Sequence, residues 1–308
     1  MMRFSLPRHK RPVLMGFAVL LSLFPLAQTA DAPDPMYRSE VKEVRLTFFA
    51  TDQHNDSVDT IVKSDFAVVD SDGVIRDFRS FGRSPETKLD LVVLIDCSES
   101  VLPRFQQEIS DVLQLIGQSR WIADDKISLV SFRDSVPAMI CSGDFRDSPL
   151  ESRLATLDAG GQTPLYDAVE LAGKLLQRRR DPAIRPVILL FSDGQDTISR
   201  TSAMDALASV LSADAPIYSV DLDSSHLSKG TSVLRAFSSA TGGRYLRVQD
   251  GGAKVLGALL DDLHSAYLLT YALPNQTAGF HPVRILPTHN LDLRYRCRRG
   301  YFYDNHDR

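Results

Sequence analysis

The sequence predicts an α/β fold: a doubly wound, mostly parallel sheet flanked by helices, of Rossmann-like kind, beside a smaller all-β domain formed by the N- and C-terminal segments. Three observations predict it. Between residues 88 and 264, short wholly apolar runs such as Leu91 to Ile95 and Pro186 to Phe191 alternate with stripes of helical spacing. Such runs suit strands buried on both faces, which is what helices on either side of a parallel sheet produce. On each side of that region the pattern changes to strict alternation of apolar and polar residues, the period of a half-buried strand. Finally, 308 residues with 44% hydrophobic and 24% charged content supply ample apolar surface for a large core.

In chain order, Val44, Leu46, Phe48 and Ala50 alternate with polar neighbours, and Phe66 to Val69 follows as a second strand. Asp72-Gly73 supplies a hairpin turn before Val74-Ile75. Residues 37–83 thus read as an N-terminal β segment, with Ser84 to Thr87 as the way out of it. Residues 88–264 form the α/β domain. Phe105, Ile109, Val112 and Ile116 lie on one face of a helix, as do Leu165, Ala168, Ala172 and Leu175. Further helices carry Met204 to Leu211, Val233 to Ala240 and Val255 to Leu263. Strands fall at Ile127 to Phe132, Ala138 to Cys141, Ile217 to Leu222 and Tyr245 to Val248. The helix before Gly242-Gly243 stops there because glycine takes the left-handed cap. Residues 265–308 return to β pattern: Leu291, Leu293, Tyr295 and Cys297 alternate with Asp292 and three arginines, which the period turns outward. An insert's ends usually lie close, so this C-terminal segment is expected to pack with 37–83.

Residues 1–30 differ from the rest. Arg3, Arg8, Lys10 and Arg11 precede an apolar stretch, Val13 to Leu26, and small residues such as Ala27, Ala30 and Ala32 follow. That is the build of a secretory signal peptide, and about 14 apolar residues fall short of the roughly 20 that span a bilayer. A secreted or periplasmic protein with no stable membrane span is expected. Without those four basic residues, the 35 Lys and Arg drop to 31 against 39 Asp and Glu. Such an acidic surface argues against nucleic acid as a general partner. Three cysteines, Cys97, Cys141 and Cys297, leave room for one disulfide at most and suit buried thiols.

The chemistry concentrates where the first buried strand ends. In extended chain, residues two apart point the same way, so Asp96, Ser98 and Ser100 can converge while Cys97 points elsewhere. Thr163, in the loop Gly160 to Pro164 that opens a helix, and Asp193, at the end of Pro186 to Phe191, lie at the same carboxyl edge of the sheet. Open α/β sheets gather ligands at that edge, near the point where strand order reverses. Two carboxylates and three hydroxyls are hard oxygen donors. They suit Mg²⁺, with Mn²⁺ or Ca²⁺ as alternatives, and do not suit zinc. Their charge only balances a dication, so an added acidic group stays welcome.

Asp96-x-Ser98-x-Ser100, then Thr163, then Asp193, in this order and context, resembles the metal-ion-dependent adhesion site of von Willebrand factor type A (VWA) domains. The mature chain as a whole is similar to the bacterial secreted VWFA-related, acidobacterial-type proteins. The stretches that carry this are Lys63 to Val68, Thr163 to Ala168, Phe191 to Asp196 and Arg299-Gly300-Tyr301. The resemblance implies a non-catalytic protein-binding module whose metal accepts a carboxylate from a partner protein. Glu99 departs from the glycine usual in this motif and adds negative charge beside the site.

Two other readings compete. A structural envelope protein could use the metal only to stiffen its loops. A metal-dependent hydrolase is the weaker alternative. Asp221-x-Asp223-x-Ser225 superficially resembles the loop of aspartate-nucleophile phosphatases, but the further groups such enzymes need are missing in register, so strand-end capping explains it. No G-x-S-x-G elbow exists, and His226, His264, His281 and His289 stand outside any nucleophile context. Arg178 to Arg180 at a helix end read as a solvated face favoured by the helix dipole.

Overall fold

The structure is a computed structural model and describes residues 42–303, except 55, 84–86, 118–124, 135, 145–149, 224–227 and 248–251. The expected signal peptide lies outside the described residues. Four strands come first: β1 (Glu43–Thr51), β2 (Phe66–Asp70), β3 (Gly73–Ile75) and β4 (Ser80–Arg83). The α/β layer follows, with strands β5 (Lys88–Asp96), β6 (Lys126–Phe132), β7 (Ala138–Asp144), β8 (Ile184–Ser192), β9 (Ile217–Asp221) and β10 (Tyr245–Arg247). Its helices are α1 (Phe105–Ile116), α2 (Leu150–Leu154), α3 (Leu165–Arg178), α4 (Ala203–Ser212), α5 (Lys229–Thr241) and α6 (Gly252–His264). Strands β11 (Tyr267–Ala272), β12 (Gly279–Pro287), β13 (Arg294–Cys297) and β14 (Gly300–Tyr303) close the chain.

The six central strands form one sheet in the order β10-β9-β8-β5-β6-β7, parallel except for β7, which runs antiparallel at the edge. Strand β5 is buried on both faces, as its unbroken apolar run requires. Its odd-numbered residues Leu91, Val93 and Ile95 meet Phe105 and Val112 of α1 and Leu259 and Leu263 of α6. Val92 and Leu94 meet Leu165, Val169 and Ala172 of α3 and helices α4 and α5 beyond. Because β6 flanks β5 on one side and β8 on the other, the strand order reverses between β5 and β8.

The flanking segments share two four-stranded sheets, β13-β1-β11-β4 and β14-β12-β2-β3. Strand β1 pairs antiparallel with β11, setting Leu46 opposite Leu269, and β12 pairs with β2, setting Ile285 opposite Val68. Between the sheets lies an aromatic core around Phe48, Phe66, Tyr267 and Tyr271.

Four sequence expectations need correction. The β2–β3 turn is centred on Ser71 and Asp72, both with positive φ (48° and 69°), while Gly73 already pairs with Asp70. Turn and first strand residue were one step out of register, because Asp tolerates the left-handed region almost as Asn does. The last alternating run does not start at Leu291, which is 77% exposed in a turn; β13 begins only at Arg294. Nor do its arginines all face solvent. Arg296 lies over the Phe49 ring (4.2 Å) and donates to the buried Asp262 carboxylate of α6, while Arg298 donates to Asp214 at 2.8 Å. The outer face of that sheet is covered by the α/β layer, so outward from the sandwich means into the seam. Arg179, finally, is only half-exposed and tied down: it donates to Ser128 Oγ at 2.8 Å and pairs with Asp90 at 3.4 Å.

Candidate functional site

The site forms where strand order reverses. Asp96 is the last residue of β5 and Asp193 follows the last residue of β8. Three loops meet there, laced by hydrogen bonds. The Gly160 N–H donates to the Cys97 carbonyl at 2.8 Å and the Glu99 N–H to the Gly161 carbonyl at 3.0 Å, tying the loop after β5 to the loop before α3. The Thr163 N–H donates to Thr197 Oγ1 at 2.8 Å, and the Thr197 N–H returns to the Thr163 carbonyl at 2.9 Å. That exchange joins the same loop to the one after β8. The start of α3 adds to it: Ser199 Oγ accepts from the Tyr166 N–H (3.0 Å), and Asp167 accepts from the Thr201 N–H (2.8 Å). Orphan amides at a helix start are thereby satisfied from the neighbouring loop. Gly161 (φ +81°) and Gly194 (φ +77°) permit the close approach; a Cβ on Gly194 would stand 2.2 Å from the Gly230 carbonyl oxygen.

Asp96, Ser98, Thr163 and Asp193 are buried, whereas Ser100 and Glu99 are exposed. Ser98 Oγ and Ser100 Oγ are 3.0 Å apart, so those two hydroxyls converge. The Asp96 carboxylate accepts from the Ser98 N–H at 3.0 Å and from Ser192 Oγ at 2.6 Å. Asp193 accepts from the Gln195 N–H and from its side-chain amide, both at 3.0 Å. Cys97 turns into the sheet core, where burial pushes its thiol well up. The three cysteines are free thiols.

Burial raises the Asp96 carboxyl from 3.8 to about 7; the donors Ser192 and Ser98 oppose this, and the Asp193 charge adds to it. Among the described residues every hydrogen-bond partner of Asp96 is a neutral donor, so its charge meets no protein counter-charge there. Sequence reasoning missed a third carboxyl beneath the pair. Glu108 of α1 is fully buried, no side chain among the described residues hydrogen-bonds either of its oxygens, and burial followed by the Asp96 charge holds it well above the usual range. The signal was available: Phe105, Glu108, Ile109 and Val112 share one helical stripe, and that stripe is the buried face.

A carboxyl raised in the native state binds a proton more tightly there than in the unfolded chain. Metal-free stability is therefore greatest near or below the unfolded value, falls as pH rises through the window between them, and levels off above the native value. For Asp96 that window runs from 3.8 to about 7; Glu108, also raised, adds to the decline. Glu108→Gln, which keeps the shape and removes the charge, is expected to make the fall between pH 5 and pH 8 shallower. Urea melts at pH 5 and pH 8 check this; an equally steep fall in the variant would contradict it.

Among the described residues no three His, Cys, Asp or Glu side chains gather as a metal cluster. An ion here would rest on Asp96 and Asp193 with the hydroxyls of Ser98, Ser100 and Thr163. Two carboxylates among hard hydroxyl oxygens, lacking a protein counter-charge, fit a hard dication. Asp221, by contrast, is occupied: it accepts from Thr231 Oγ1 (2.7 Å) and the Tyr245 hydroxyl (2.5 Å), the capping role expected; Ser225 lies outside the described residues.

Residues 91–195 match the profile of the family described as von Willebrand factor type A domain. A stretch of 109 residues is 26% identical to the magnesium-chelatase 60 kDa subunit of Rhodobacter capsulatus, covering 35% of this chain and 19% of that protein. Another of 189 residues is 26% identical to an uncharacterized protein of Mycobacterium tuberculosis, covering 58% and 27%. The matches thus span about a fifth to a quarter of the length of these relatives. Among solved structures, a von Willebrand factor type A protein from Catenulispora acidiphila aligns over 88% of this chain and 76% of its own, at 12% identity and a TM-score of 0.46.

Proposed function

We propose that this chain, a member of the von Willebrand factor type A domain proteins, is an exported, non-catalytic binding module that engages a protein partner through a metal held by Asp96, Ser98, Ser100, Thr163 and Asp193. The observation that carries the reading is the uncompensated charge at the strand reversal. Among the described residues Asp96 is wholly buried, receives only neutral donors and feels the Asp193 charge, beside the convergent hydroxyls of Ser98 and Ser100. Mg²⁺ suits that donor set best, with Mn²⁺ and Ca²⁺ sharing its preference for oxygen. The metal would supply an open position of positive charge; the chain itself offers Ser100 at the exposed rim. The partner's contribution is an acidic side chain, because two carboxylates leave a dication no surplus negative charge. Exposed Glu99 adds negative charge beside the site and would weaken the attraction of an acidic partner.

Among the described residues no histidine stands in the site and its carboxylates are committed to holding charge, so no turnover is expected. Among the described residues, no helix is long and apolar enough to cross a membrane. The export part of the reading rests on Arg3 to Leu26 alone. Intact-mass measurement of the protein from its native envelope fraction is expected to show loss of at least residues 1–26; an unprocessed chain in the cytosol would overturn export. For the partner, capture from the same fraction is expected to include at least one protein held with Mg²⁺ and released by EDTA. If every captured protein survived both EDTA and Asp96→Ala, the metal-dependent reading would fail.

A further inference from the structure

We propose a second docking site, independent of the metal: an arginine-lined groove that binds a short acidic, partly apolar segment of a protein partner. The groove, about 620 Å³, runs along the seam between α5 with β10 and the strands β12 and β13. Gly243 in its wall packs against the Ile217 backbone at the beginning of β9. It therefore opens at the edge of the sheet opposite the ends of β5 and β8.

Its charge is one-sided. Among the described residues five arginines line it and no aspartate or glutamate does, in a chain whose net charge is −4. Two of the five, Arg244 and Arg296, are drawn back toward the buried Asp262. The other three, Arg235, Arg284 and Arg299, have no ion pair among the described residues and are exposed. Two of them are nevertheless held in place. Arg235 lies over the Tyr245 ring at 4.4 Å, and Arg299 donates to Ser239 Oγ. A planar guanidinium fixed on one side keeps its remaining donors in a fork that matches a carboxylate, with less freedom to lose on binding. Solvated arginines on an acidic protein would ordinarily be interspersed with carboxylates; here like charges are gathered instead, which raises their mutual repulsion until an anionic group arrives.

The rest of the lining says which anion. Leu286 is 45% exposed in the groove, and half-buried Tyr295 lies beside it. Apolar surface between guanidinium groups fits alternating acidic and aromatic or aliphatic side chains. A long polyanion or an anionic membrane would meet the negative field of the remaining surface, which a short peptide escapes.

The test uses a fluorescein-labelled peptide of glutamates flanking a central phenylalanine, read by fluorescence anisotropy on the full chain. Binding is expected to be saturable, unchanged by EDTA and by Asp96→Ala, and at least tenfold weaker in Arg235→Glu/Arg284→Glu. The milder Arg235→Ser/Arg284→Ser, checked for an unaltered thermal melt, is expected to weaken it in the same direction. No binding, equal binding of the same peptide with lysines for glutamates, or no effect of either double variant would overturn the proposal. So would tighter binding of a single-stranded oligonucleotide or of phosphatidylserine vesicles. The insensitivity to EDTA separates this site from the metal site, so either can fail without the other.

Discussion

Replacing Asp96 by alanine is expected to abolish stabilisation by Mg²⁺ while leaving the fold intact. The wild-type protein, at a Mg²⁺ concentration a hundred times its dissociation constant, gains roughly 2.7 kcal/mol, because an ion bound only to the native state shifts folding by mass action. Without Asp96, one carboxylate remains to balance the dication. The loops around it then keep their backbone lacing, Gly160 to Cys97 and Thr197 to Thr163, but hold the ion weakly. The metal-free variant is expected to melt no earlier than metal-free wild type above pH 7. Removing a buried charge that lies near Asp193 and Glu108 offsets the loss of an acceptor for Ser192 and Ser98. Thermal melts with and without Mg²⁺ on both proteins decide it. Equal metal responses would remove Asp96 from the site.

Phe48→Ala is expected to destabilise the protein by about 3–5 kcal/mol, the range for deleting a buried aromatic ring. Phe48 is fully buried, and its ring centroid lies 5.2 Å from Phe66, 6.2 Å from Phe81, 5.3 Å from Tyr267 and 6.0 Å from Tyr295. These partners come from β2, β4, β11 and β13, so one side chain bridges both chain ends and both sheets. The lost ring removes its area burial and the favourable tilted and stacked contacts together, and rigid neighbours on four strands cannot close the space. Urea unfolding followed by tyrosine and tryptophan fluorescence measures it. A loss under about 1 kcal/mol would mean that the site collapses freely and that the two terminal segments are not held by a shared core.

The α/β layer was legible because its signals are local. Leu91 to Ile95 could hardly be other than a strand buried on both faces, and the stripe from Leu165 to Leu175 names both the helix and the face it buries. The reversal of strand order between β5 and β8 is not local, yet Asp96 and Asp193 could be marked because each ends an apolar run. What escaped is what depends on a distant element. Arg296 and Arg298 look like surface residues until α6 supplies Asp262 and the turn after α4 supplies Asp214. Arg179 looks like one more charge at a helix end until β5 and β6 place Asp90 and Ser128 beside it. Leu291 fits the alternation and yet lies in a turn, since nothing in a period of two says where pairing stops. Glu108 is the instructive omission. Its helical register puts it on the buried face, but a charged residue on an apolar stripe reads as an interruption rather than as a carboxyl aimed beneath a charged site.

The position of the ion itself tests the central claim most directly. Crystals grown with Mn²⁺, measured at a wavelength where manganese scatters anomalously, are expected to show a single strong peak among Asp96, Ser98, Ser100, Thr163 and Asp193. A peak absent at saturating Mn²⁺, or bound elsewhere on the chain, would contradict the account.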